Sequence, residues 1–196
     1  FVYDLTGSAL SLGLIGLAFV APRLRQPPTA PTLPPIEISQ DQAYIAEVNE
    51  TELEFIPTGD EPRIVIGGEF IDFLPGAVLQ TGPTETGYVF IGLPGRAELF
   101  IAPNSEIQFV SSDATGVVLQ LQSGRAIINL QDDFPSDRRL TVYSPSWART
   151  WVSSSTMCLW VEPETELFTM NCVADRCGYD DSLEKLVEAG YHVQFT

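Results

Sequence analysis

The chain has 196 residues and a mass of 21.5 kDa, the size of one ordinary domain with tails. Only 10 Lys and Arg stand against 26 Asp and Glu, giving a net charge of −16 and a pI near 4.2, so nucleic acid is excluded as a partner. Hydrophobic residues make up 44% of the chain, enough for a core, while the one histidine, His192, rules out His-rich metal sites and leaves a Ser-His-Asp set without support.

Leu5 to Ala21 is an uncharged run of seventeen residues. A helix needs about 20 residues to cross a bilayer, with a range of about 17–25. Residues 1–21 are therefore read as a single transmembrane helix, anchored in the lipid bilayer by Leu5, Leu10, Leu12, Leu14, Ile15, Leu17, Phe19 and Val20. Gly7, Ser8, Ala9, Gly13 and Gly16 suit close packing on a neighbouring membrane helix. A signal-peptide core and a buried or pilin-like helix are the competing readings. Arg23 and Arg25 follow at once, and the positive-inside rule then votes for a cytoplasmic position of what comes next.

Residues 22–35 hold six prolines in fourteen positions. Such a stretch cannot be helical and favours extended polyproline II. After an anchor it reads as a semi-rigid spacer, and otherwise as a linker or an SH3-type ligand. The charge divides at the same place. Asp4, Arg23 and Arg25 are the only charges before Ile36, which leaves 25 acids and 8 bases in residues 36–196.

From residue 36 onward the chain alternates short apolar runs with turn residues. Strands are expected at 44–48, 53–56, 63–66, 70–73, 77–80, 87–93, 97–102, 107–110, 116–122, 125–130, 140–143, 148–153, 157–161, 166–171 and 192–195. Gly and Pro pairs such as Gly67-Gly68, Pro94-Gly95 and Ser123-Gly124 mark the turns. Asp181 and Glu184 have the form of a capping box, Leu183, Leu186 and Val187 share one helical face, and Gly190 suits a helix end. One short helix is expected there. The fold class is thus all-β, solenoid-like or sandwich, with a short helix near the C-terminus and a transmembrane helix in front.

The stretch 76–130 contains Thr81-Gly82, Pro94-Gly95, Asn104-Ser105 and Leu121-Gln-Ser-Gly124-Arg125, in strand–turn contexts. In this it resembles the FecR domain, the extracytoplasmic β-domain of bacterial membrane-anchored regulators. Val142-Tyr-Ser-Pro145 and Ala189-Gly190 are similar to later parts of the same pattern, so the resemblance covers about 70–196. It implies a periplasmic, extracytoplasmic β-domain at 36–196, held at the bacterial cytoplasmic membrane. This placement opposes the vote of Arg23 and Arg25. FecR regulators also carry a cytoplasmic anti-sigma segment ahead of the membrane helix, which here would lie upstream of Phe1. The glycines fit turns that require positive φ, and Asn104 and Ser105 fit an Asx-type turn bonding its own backbone. These residues imply a scaffold and carry no chemistry.

An extracytoplasmic location permits disulfides. Cys172–Cys177 is the first expectation, as a staple on a short loop, and Cys158–Cys172 is the alternative because those strands lie side by side. Three Cys without a C-x-x-C spacing make a weak metal set, and the acidic pairs Asp132-Asp133 and Asp180-Asp181 lack a calcium-loop pattern. No metal, cofactor or catalytic residue is expected. Trp147, Trp151 and Trp160 fall close together in sequence and form a candidate interaction surface, joined by Asp175 and Arg176 in the Cys loop. Asp175 and Arg176 also read as a local ion pair. The expected function is a non-enzymatic interaction module that docks on other membrane protein subunits through its helix and its β-domain. A FecR-type transducer acting on a sigma factor is the alternative.

Overall fold

The computed structural model describes residues 42–131, 134–153, 155–162, 164–179 and 185–195. The expected transmembrane helix and Pro-rich spacer lie outside these residues, as do Asp41, Asp132, Asp133 and Asp180 to Glu184. Among the described residues no helix is long and apolar enough to cross a membrane.

Among the described residues sixteen strands run in chain order. The first eight are β1 (Gln42–Asn49), β2 (Leu53–Ile56), β3 (Arg63–Val65), β4 (Glu69–Asp72), β5 (Val78–Thr81), β6 (Tyr88–Leu93), β7 (Ala97–Ile101) and β8 (Glu106–Asp113). The long β9 (Gly116–Leu130) is followed by β10 (Arg139–Tyr143), β11 (Arg149–Val152) and β12 (Thr156–Val161). Then come β13 (Phe168–Ala174), β14 (Arg176–Tyr179), β15 (Leu186–Glu188) and β16 (His192–Phe195).

The strands make two sheets that share β9. The first has the order β4-β1-β6-β7-β9-β12-β13-β16. The second has the order β3-β2-β5-β8-β9-β10-β11-β14-β15. Every pairing is antiparallel except β9 with β10. The chain passes back and forth between the sheets, one or two strands at a time, which accounts for turns at such short intervals. Alternate residues of both sheets turn inward into one buried cluster. Phe73, beyond β4, meets Phe109 of β8 at a ring separation of 4.5 Å, and Tyr179 of β14 lies 5.9 Å from Phe195 of β16. Leu79, Ile91, Leu99 and Ile101 are fully buried, and each such side chain contributes about 1.5–3 kcal/mol.

Strand β9 is one continuous strand through the expected turn at Ser123-Gly124. Its first half pairs with β8 and β10, and its second half with β7 and β12. The inward residues are Val117, Leu119 and Leu121 before the crossing, and Ala126, Ile128 and Leu130 after it. Parity therefore shifts by one residue at Gly124, which has φ +85. A Cβ there would run into the Ser105 hydroxyl and the Asn104 carbonyl. The crossing is closed by hydrogen bonds. The Arg125 amide donates to Ser105 Oγ at 2.9 Å, and Ser105 Oγ–H donates to the Arg125 carbonyl at 3.2 Å. The Ser105 amide donates to Thr81 Oγ1 at 2.9 Å, and Thr81 Oγ1–H donates to the Ala102 carbonyl at 2.7 Å. The Thr-Gly, Asn-Ser and Gly-Arg residues of the sequence pattern thus meet at one point. Ser105 reaches across to Arg125, in addition to the local contact with Pro103 that an Asx-type turn implies.

Two further elements differ from expectation. Leu186 to Glu188 are strand β15, paired with β14, so the expected helix does not run through Leu186 and Val187. The alternation explains it: Leu186 and Glu188 are exposed, while Val187 is buried beside its partner Cys177. The short loop expected between Cys172 and Cys177 is instead the end of β13 and the start of β14, joined at Asp175.

Replacing Gly124 by Ala forces a side chain into both the left-handed region and the Ser105 backbone. Strain of this kind costs about 1–3 kcal/mol. We expect Gly124→Ala to lower stability by at least that much in chemical denaturation, while Gly190→Ala, in open space, has the smaller effect.

A stapled cleft as the candidate functional site

The turn between β13 and β14 is held by the Cys172–Cys177 disulfide, with the Cα atoms 5.6 Å apart. Because β13 belongs to the first sheet and β14 to the second, this bond ties the sheets together at the far end from β3 and β4. The alternative bridge is excluded by register. Cys158 sits opposite Asn171, and Met157 opposite Cys172. Opposite residues share a face and neighbours do not, so Cys158 points outward while Cys172 points into the core. Cys158 is a free thiol. Burial pushes its pKa up, and the nearby Arg125 charge pulls it partly back.

Asp175, at the tip of the turn, takes a left-handed conformation with φ 50. Its carbonyl accepts the Ala189 amide at 2.9 Å, and the Cys172 carbonyl accepts the Gly190 amide at 2.8 Å. The β15–β16 connection is thereby docked on the staple. Arg176 and Glu188 face each other across β14 and β15 and form an ion pair at 3.1 Å. Arg176 thus pairs with Glu188, where the sequence pointed to Asp175. Both side chains are well exposed, so the pair adds little stability.

Beside this staple lies a cleft of about 760 Å³. Its apolar lining is Leu130, Phe134, Trp151 and Leu186, and its polar lining is Gln131, Ser153, Asp175, Arg176 and Glu188. Trp151 is 6% exposed. The indole occupies the space that a side chain at Gly178, its register partner, would fill. The Arg139 guanidinium lies 4.7 Å from the ring centroid, and the indole N–H has no hydrogen-bond partner among the described residues. Gln131 is positioned from below: its amide donates to Glu98, which is also held by Asn129 at 2.7 Å. Thr156 Oγ1 in turn donates to Asn129 at 2.8 Å. This polar chain satisfies Glu98, a carboxylate 2% exposed, which would otherwise be costly to bury.

Of the five expected surface residues, Trp151, Asp175 and Arg176 come together here. The other two do not. Trp147 is 63% exposed in the β10–β11 turn, edge-on to Tyr143 at 5.4 Å. Trp160 projects from the outer face of β12, 4.5 Å below the Arg125 guanidinium. The three tryptophans thus form no common patch. Sequence reasoning missed Leu130, Gln131, Phe134, Ser153, Leu186 and Glu188. The helical reading of 181–190 concealed Leu186 and Glu188, and Gly178 was the one available signal of a large side chain packed opposite.

Among the described residues no group of three or more His, Cys, Asp and Glu could hold a metal. Leu130, Phe134 and Trp151 are nearly buried beneath the cleft, so its open surface is mainly polar, an arrangement that suits a polar or charged group of a partner. Comparison with protein-family models, with curated proteins and with solved structures gives no match for this chain.

Thiol titration checks the staple. Unfolding without reductant should release one reactive thiol per chain, and unfolding with reductant three. Replacing Cys172 and Cys177 together by Ser opens a six-residue loop and should cost about 2 kcal/mol by the loop-closure estimate. In the folded protein, alkylation of Cys158 should be slower at neutral pH than that of an ordinary thiol. A raised pKa leaves less thiolate, so the rate should climb only as pH passes above the usual thiol range.

Proposed function

We propose that this chain is a membrane-anchored, non-enzymatic interaction module, an accessory subunit of a larger membrane protein complex. The apolar N-terminal run supports the anchor, and the Pro-rich segment supports a spacer that holds the β-domain off the bilayer. The observation that carries the reading is the stapled cleft. A rigid two-sheet frame and a disulfide hold Trp151, Leu186, Asp175 and Arg176 around one concave surface. A concave surface fixed before binding loses less entropy on association than a flexible one. The FecR-like pattern supports an extracytoplasmic position at the bacterial cytoplasmic membrane. The same pattern favours a second reading, a FecR-type transducer acting on a sigma factor through a cytoplasmic segment.

The test is gentle detergent extraction of the full-length protein from its native membranes, size separation, and mass spectrometry of what accompanies it. The subunit reading expects stoichiometric recovery of a defined membrane assembly. Leu186→Arg and Arg176→Ala alter exposed cleft residues and should leave the fold intact by circular dichroism. Each should weaken that association by about tenfold or more. Recovery of a lone species, or of a sigma factor on a cytoplasmic extension, overturns the subunit reading.

A further inference from the structure

Trp151 is more than nine-tenths buried, yet its indole N–H has no hydrogen-bond partner among the described residues. A buried donor left without an acceptor is costly and rare in folded proteins. Its close neighbours cannot relieve it. The Cδ2, Cε2 and Cζ2 atoms of the ring lie against Gly178, which has no side chain. Arg139, whose guanidinium is 4.7 Å from the ring centroid, has donors only. Trp151 also lines the cleft beside the staple, which gives a group from outside a route to the ring.

The rest of the lining presents acceptors. Gln131 Nε2 donates to Glu98 at 2.6 Å, and because a carboxylate can only accept, this bond fixes which end of the Gln131 amide is which. Gln131 Oε1 then has no donor among the described residues. Neither has the exposed carboxylate of Asp175. Arg176 is the one cation among the described lining residues, and Glu188 engages it at 3.1 Å. Asp175 and Glu188 thus outnumber Arg176, on a chain of net charge −16. Leu186, 42% exposed, adds an apolar wall.

We propose that the cleft receives the carboxamide of a Gln or Asn side chain from a partner protein. The amide oxygen accepts the Trp151 N–H. The amide NH2 has two hydrogens to give, and Gln131 Oε1 and Asp175 are there to accept them. The methylenes of the inserted side chain lie along Leu186. Other polar side-chain ends match this lining less well. A carboxylate accepts from Trp151 but meets Asp175 and Glu188 with no free cation to offset them. An ammonium suits Asp175 but offers the indole N–H another donor. A hydroxyl accepts from Trp151 and has one hydrogen to give, so one acceptor stays unmatched. The proposal rests on the interaction-module reading of this same cleft and names the group that enters it.

The test titrates the isotope-labelled full chain in detergent with acetamide, acetate, isopropanol and isopropylammonium, four probes of similar size. The reporter is the indole N–H resonance of Trp151, identified by its loss in Trp151→Phe. Acetamide should shift it saturably, along with the backbone amides of Gln131, Asp175 and Leu186, and should bind about fivefold or more tightly than the other probes. Trp151→Phe keeps an aromatic ring at Gly178 and removes the N–H. With circular dichroism unchanged, it should weaken acetamide binding at the Asp175 and Leu186 amides by about fivefold. If that variant fails to fold, the comparison of probes on the native chain decides alone. An unmoved indole resonance overturns the proposal, as does unchanged binding in folded Trp151→Phe. Equally tight binding of acetate, isopropylammonium or isopropanol overturns it too, in favour of an anion, cation or hydroxyl site. Acetamide binding with native co-purification untouched by Leu186→Arg keeps this chemistry and removes the subunit reading. Co-purification lost in Leu186→Arg without acetamide binding does the reverse.

Discussion

Everything in the described structure depends on how β9 crosses from one sheet to the other. A strand whose inward face changes from odd to even residues needs a one-residue break in its alternation. Gly124 supplies it. The hydroxyls of Ser105 and Thr81 then satisfy backbone groups that the interrupted ladder leaves without strand partners. Buried backbone groups without partners are expensive, so this small polar knot allows a continuous strand to serve two sheets. With β9 shared, neither sheet can shift against the other without breaking the strand that both contain.

The disulfide is the second tie, and its position matters more than its strength. It joins β13 to β14 where the chain passes from the first sheet to the second, and it anchors the return through β15 and β16 by the amides of Ala189 and Gly190. The cleft forms from what is left around that tie. Trp151 is seated against Gly178, while Gln131 is held by the buried Glu98. The cleft therefore sits at one end of the sheets, and the β3 and β4 edges at the other. Between them the inner faces are given over to packing. A net charge of −16 repels other anionic surfaces.

Much of the fold could be read from the sequence because strand alternation and turn residues are local signals. Most strands lie within a residue or two of their expected limits, and Val117, Leu119 and Leu121 face inward as their spacing indicates. The errors arise where a local signal has a non-local cause. Gly124 has the chemistry of a turn residue and is used for a sheet crossing. Leu183, Leu186 and Val187 have helical spacing, but Leu186 and Val187 belong to β15 because β14 offers an open edge and Val187 can be buried beside Cys177. The candidate site was partly visible. Asp175 and Arg176 were named because they sit between two cysteines, and Trp151 because of its residue type. Nothing in the sequence separates Trp151 from Trp147 and Trp160, since their burial depends on strands far away in the chain. Leu130 and Phe134 reach the cleft only through the tertiary fold.

On the proposed reading the cleft is a contact surface on an otherwise self-sufficient frame. Hydrogen exchange of the full chain, measured in its native membranes and after purification, tests it most directly. Purification should speed exchange at residues 130, 131, 134, 175, 176 and 186–188, while the strands around Gly124 remain equally protected in both states. Equal exchange everywhere, or a change confined to the Gly124 crossing, would contradict it.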